Sequence, residues 1–186
     1  MVLYIAFAIR DRRLYELGKE FSRCGYEAVP IDQQHLTILF IGDVDSYHRH
    51  LLEEKLSCFK IDHPRILSIS GVELLPRHKA TNVVLVVDDR NRVLHQLREK
   101  LVKIVEDVVE IRDRYDFYPH ITIARRPRPL PEELMGEVER IRNAISKRVP
   151  RRVSVFGMAL IHSFRGKHEI RMWLSEPIVV EPNHRG

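Results

Sequence analysis

The sequence predicts an α+β domain built from two copies of one β-α-β-α-β unit, and three observations predict it. Apolar and β-branched runs alternate with amphipathic stretches so that the order strand, helix, strand, helix, strand occurs twice. The phrase His35-Leu36-Thr37-Ile38 returns as His120-Ile121-Thr122-Ile123, 85 positions later and in the same slot of its unit. No low-complexity segment or long linker separates the copies, so residues 1–186 read as a single bilobal domain with halves at about 1–80 and 81–186. The seam falls at "LLPRHKATN".

In the first unit, strands are expected at about 2–9 ("VLYIAFAI"), 35–41 and 65–75, with helices at about 11–24 and 45–58. In the second, "NVVLVVD" and "HITIAR" are strands, about 91–109 and 131–147 are helices, and "RRVSVFGMALIHS" is the closing strand. "EIRMWLS" adds a last strand. Breakers support these cuts: Pro30 precedes the first phrase and Gly42-Asp43 follow it, while Pro119 precedes the second and Pro127, Pro129 and Pro131 follow it.

Composition narrows the function classes. An apolar share of 44% suits a globular chain, and no apolar run approaches the roughly 20 residues that span a bilayer. The basic residues of "MVLYIAFAIRDRR" follow its apolar segment, the wrong order for a signal peptide. A cytoplasmic location and no membrane are therefore expected. Cys24 and Cys58 lack zinc or disulfide spacing and read as free thiols. A net charge of +5, carried by arginine far more than lysine, suits an anionic, phosphate-bearing partner. Adaptation to heat explains the same charge equally well.

The repeated phrase carries the chemistry. Successive strand side chains point to opposite faces, so His35 and Thr37 share one face while Leu36, Ile38 and Phe40 share the other. His120 and Thr122 likewise oppose Ile121 and Ile123. A lone His-x-Thr on a strand says almost nothing, but two in matching slots bring both pairs to one cleft if the halves are related by a two-fold axis. Two imidazoles across a phosphate can serve in-line displacement, one taking a proton from the attacking oxygen and the other giving one to the leaving oxygen. Threonine hydroxyls on the same face can donate to non-bridging oxygens. No metal and no cofactor is needed. The remaining histidines show no ligand spacing, and phosphate-loop, dinucleotide and serine-hydrolase motifs are missing.

Arg125, Arg126 and Arg128 could form a phosphate-binding rim beyond the second phrase. Strand parity puts Arg126, not Arg125, on the His120 face. Pro119 holds Tyr118 extended, and Tyr118 could stack on a nucleobase or merely pack; Phe117 reads as core.

At these residues the chain resembles the two-histidine (2H) phosphoesterases, and within them the RNA 2′,3′-cyclic phosphodiesterases, also called 2′-5′ RNA ligases. The opening "YIAFAI", the first motif with its trailing "FIGDV", the lead-in "FYPHITIAR" and the late "ALIHSFRG" carry the resemblance nearly end to end. It implies two lobes whose antiparallel sheets enclose a central catalytic cleft, with His35 as proton donor and His120 as proton acceptor. It also implies that Thr37 and Thr122 hold the phosphate and that Arg125 assists. The chain departs from the pattern at Gly166-Lys167-His168, where many relatives carry an aromatic, and at Leu39, often polar in relatives. The expected function is metal-independent hydrolysis of 2′,3′-cyclic phosphate RNA ends to 2′-phosphate, with 2′-5′ ligation as a side activity. The expected partner is RNA with such an end, tRNA fragments among the candidates, and the expected state a monomer. The rival readings are a cyclic phosphodiesterase for small nucleotides and a non-catalytic basic RNA-binding module.

Overall fold

The most apolar run in the chain, Val2–Ile9, forms strand β1, buried at every position after Val2. The computed structural model describes residues 2–59, 61–111, 116–164, 167–175 and 177. The elements follow as α1 (Arg12–Lys19), β2 (Glu27–Ala28), β3 (His35–Asp43), α2 (Ser46–Ser57), β4 (Ile66–Leu75), β5 (Asn82–Val87), α3 (Val93–Glu106), β6 (His120–Arg125), α4 (Glu132–Ser146), β7 (Arg152–Phe164) and β8 (Lys167–Trp173). The Asp11 and Asp45 side chains cap α1 and α2 by accepting from the amides of Arg13 and His48. Asp89 does the same for α3, accepting from the Leu94 and His95 amides.

The eight strands pair antiparallel in the order β2-β6-β5-β4-β7-β1-β3, with β8 also on β7. Two separate sheets were expected. One forms instead, because Ile66–Ser68 pairs with Arg152–Ser154 and joins β4 to β7. The ladder maps onto itself when β1, β3 and β4 are exchanged for β5, β6 and β7: β1 pairs β3 and β7, and β5 pairs β6 and β4. The sheet curls so that β3, at one end, comes alongside β6 near the other.

Each half packs on the other. Helix α1 of the first half lies on β6 of the second, and α3 of the second lies on β3 of the first. Leu14 and Leu17 of α1 and Leu94, Leu97 and Leu101 of α3 enter the main core with Leu36, Ile38, Ile121 and Ile123. Each such side chain contributes about 1.5–3 kcal/mol by leaving water. A smaller cluster of Tyr4, Ala6, Ala159 and Ile161 lies apart, with Ile170 and Trp173 of β8 packed on it.

Helix α1 ends at Lys19, short of the expected residue 24. Ser22–Cys24 form a 3-10 turn and Gly25 takes a left-handed conformation, φ 78°. This reversal lets Glu27–Ala28 pair with Arg125 and Ala124, a strand too short to read from the sequence. The approach of α1 to β6 depends on Gly18, where a Cβ would overlap the Ile123 carbonyl oxygen. Gly18→Ala is therefore expected to destabilise the fold by about 1–3 kcal/mol through overpacking and to displace the backbone next to Thr122. Urea denaturation alongside a turnover assay should show both losses.

Candidate active site

The two His-x-Thr-Ile strands have the same local fold, down to one irregularity. Ala6 pairs with Thr37 but Ile5 pairs with Leu39, which leaves Ile38 unmatched in a β-bulge. Val84 pairs with Thr122 but Val83 with Ala124, which leaves Ile123 unmatched at the equivalent place. After each bulge the parity inverts. Leu39 and Ala124 turn into the core, and Phe40 and Arg125 turn to the histidine side. Phe40, expected among the core residues, is 42% exposed for this reason. The same shift puts Arg125, not Arg126, on the His120 face.

Arg126 is turned away. Its guanidinium lies 5.9 Å from the Tyr26 ring and donates to the Pro129 carbonyl at 3.5 Å, on the side of the turn after α1. The structure does not bring it to the histidines. Arg128 is exposed on the loop beyond.

Both imidazoles are held alike. The Nδ1–H of His35 donates to the Gln33 carbonyl at 2.8 Å, and that of His120 donates to the Tyr118 carbonyl at 2.7 Å. Carbonyls only accept, so in the neutral ring the proton sits on Nδ1 and Nε2 keeps its lone pair. The strand edges just before them match as well: Gln34 O accepts the Ile9 amide at 2.8 Å and Pro119 O accepts the Val87 amide at 3.0 Å. Thr37 and Thr122 follow on the same faces, half-buried, opposite Ala6 and Val84.

The environment of His35 is the more enclosed. Burial pushes its pKa down to about 4; the bond to Gln33 opposes the shift, and electrostatic interaction with His168, Arg125 and His120 adds to it. His35 is thus neutral near pH 7 in the free protein. His120 is near enough to act on it electrostatically, as the contact between β3 and β6 requires.

Three further side chains gather around His35, and reading the sequence found only one of them, Arg125. The rings of Tyr4 and His168 lie 5.3 Å and 4.9 Å from that of His35. Tyr4 Oη is 2.6 Å from His168 Nδ1, and Arg125 Nη1 reaches His168 Nε2 at 3.3 Å. The departure at Gly166-Lys167-His168 was the one signal available for His168; Gly166 and the Lys167 side chain lie outside the described residues. Tyr118 stands 42% exposed with its ring 6.3 Å from His120, and burial, with the nearby Glu73 carboxylate, raises the pKa of its hydroxyl. Phe117 packs at the core edge against His95, with ring centroids 5.0 Å apart.

A family model described as the 2′-5′ RNA ligase superfamily matches residues 9–166. A protein of Archaeoglobus fulgidus named RNA 2′,3′-cyclic phosphodiesterase is 29% identical over 71% of this chain and 76% of its own length. One of the same name from Aeropyrum pernix is 27% identical over 61% of this chain; the match spans 65% of that protein. Among solved structures, a Thermus thermophilus protein superposes with a TM-score of 0.65 at 22% identity, covering 94% of this chain and 97% of the other. E. coli LigT complexed with 3′-AMP gives 0.64 at 17% identity, covering 94% and 97%. Identities this low show the shared fold alone.

Proposed function

The chain belongs to the 2′-5′ RNA ligase superfamily, and on that premise we propose that it is a phosphodiesterase opening 2′,3′-cyclic phosphate at RNA ends to leave a 2′-phosphate. The observation that carries the reading is the pair of equivalent imidazoles, each fixed through Nδ1 to a backbone carbonyl and each followed by a threonine on its own face. The Archaeoglobus and Aeropyrum relatives, by their names, act on this kind of substrate. The halves are read as duplicated lobes of one domain around a cleft, each being incomplete without the helix the other lends it.

In this mechanism His120 Nε2 takes a proton from the attacking water. Protonated His35 gives one to the departing 3′-oxygen as the P–O3′ bond breaks. Thr37 and Thr122 donate to the non-bridging oxygens, and Arg125 offsets the charge that gathers there. A ribose 5′-hydroxyl attacking a 2′,3′-cyclic phosphate in place of water would give a 2′-5′ linkage on the same atoms.

His35 must gain its proton when substrate arrives. A phosphate anion about 4 Å from an imidazolium stabilises it by about 4 kcal/mol at an effective dielectric of about 20, or about 3 pKa units. That is enough to lift His35 from about 4 to near neutrality. Binding of a 2′-deoxy dinucleotide, whose phosphodiester does not titrate near pH 6.5, is therefore expected to take up close to half a proton or more. Calorimetry in buffers of different ionisation enthalpy measures this uptake; none at all would remove His35 from the donor role.

Among the described residues no three His, Cys, Asp or Glu side chains gather as a metal site, and the two-histidine scheme supplies both proton transfers itself. Activity is expected to survive EDTA and to follow a bell-shaped pH profile. The same assay run on cyclic mononucleotides and on oligonucleotides of increasing length tests the substrate class. A rate that rises with length supports RNA, a rate independent of length supports small nucleotides, and phosphate binding without turnover at any length supports the binding module.

A further inference from the structure

We propose that Tyr4 is a third hydroxyl donor to the bound phosphate, aimed by His168, which Arg125 holds in one tautomer. The inference rests on the phosphodiester reading above and adds two residues to it.

The argument is one of donors and acceptors. Arg125 is always charged and only donates. Its Nη1, 3.3 Å from His168 Nε2, therefore requires a lone pair on that nitrogen. The ring hydrogen of neutral His168 is then on Nδ1, and it points at Tyr4 Oη, 2.6 Å away. Tyr4 accepts in this bond, so its own O–H is left to donate elsewhere. Burial among Ala6, Ala159, Ile161 and Trp173 fixes the ring, and the phenol stays protonated because burial raises its pKa far above neutrality.

Position favours the phosphate as the acceptor. On β1, Ala8, Ala6 and Tyr4 pair with His35, Thr37 and Phe40, so Tyr4 continues the His35-Thr37 face by one more step. Its ring centroid lies 5.3 Å from that of His35. In the exchanged half, the residue paired with Arg125 is Asn82. Among the described residues the Tyr4-His168-Arg125 chain thus has no counterpart on the other side. It distinguishes His35 from His120 in an otherwise two-fold arrangement and so gives the reaction a direction.

Tyr4→Phe retains the ring and removes only the hydroxyl. The expected results are a fall in kcat of about 10- to 100-fold and weaker binding of inorganic phosphate, in a protein that circular dichroism shows to be folded. His168→Gln offers Arg125 a carbonyl and Tyr4 an N–H, and should keep most of the wild-type rate and phosphate affinity. His168→Leu offers neither and should fall to the level of Tyr4→Phe, with the double variant no worse than either, as expected for groups acting as a unit. A folded Tyr4→Phe protein with wild-type kcat and wild-type phosphate affinity overturns the proposal. Equal losses in His168→Gln and His168→Leu also overturn it, since donor and acceptor would then be irrelevant. If the wild type fails to open cyclic phosphate, the reading of the reaction falls, and phosphate affinity alone then judges Tyr4: weaker binding in Tyr4→Phe upholds its role and equal binding removes it.

Discussion

His35→Ala and His120→Ala are each expected to lower turnover of a 2′,3′-cyclic phosphate by about 10²- to 10⁴-fold, the range for loss of a positioned acid or base. Each imidazole is fixed by one bond to a carbonyl two residues earlier, so little of the fold depends on either ring. Circular dichroism and thermal melts should confirm that both variants fold. The double variant should lose far less than the product of the single losses, because an acid without its base does little. The two single variants should also differ in pH dependence. Without His35 the limb reporting the protonated donor disappears, and without His120 the limb reporting the neutral acceptor disappears. A folded single variant with near wild-type turnover would show that the histidine in question transfers no proton.

The next largest losses are expected from the threonines. Thr37→Val and Thr122→Val preserve the β-branched shape opposite Ala6 and Val84 while deleting the hydroxyl. Each should cost about 10²- to 10³-fold in kcat, as removal of one preorganised donor does in other anion-stabilising sites. Thr→Ser at either position keeps the hydroxyl and should restore most of the rate. Steady-state kinetics on the four variants separates hydrogen bonding from packing. Valine variants with unchanged kcat would assign the threonines to the sheet alone.

Much of this candidate site was legible in the sequence because its signal is local. The His-x-Thr-Ile phrase sits on strands whose first four residues alternate as a regular strand must, and the repeat placed both in equivalent slots. The reading failed where the partner strand decides the outcome. Nothing in Ile38-Leu39 or Ile123-Ala124 marks a bulge, since two apolar residues are as consistent with continued alternation as with its interruption. The irregularity exists only in the register against β1 and β5. It moved Phe40 out of the core and exchanged Arg126 for Arg125. Tyr4 was hidden for a related reason. Inside "YIAFAI" it reads as a core aromatic, and at 4% exposure it is one. Its hydroxyl finds His168 164 positions away, a meeting that depends on β7 carrying β1 along one edge and β8 along the other.

The measurement that tests the central claim most directly is the identity of the product. Chelator-treated protein should be incubated with an oligoribonucleotide ending in a 2′,3′-cyclic phosphate and the terminal phosphate located by ³¹P NMR. The two-histidine account predicts complete conversion to the 2′-monophosphate without added divalent ion, and none with His35→Ala or His120→Ala on the same timescale. A 3′-monophosphate would contradict the assignment of His35 as donor to the 3′-oxygen. An intact cyclic end, or conversion that appears only when Mg²⁺, Mn²⁺ or Zn²⁺ is restored, would contradict the mechanism itself.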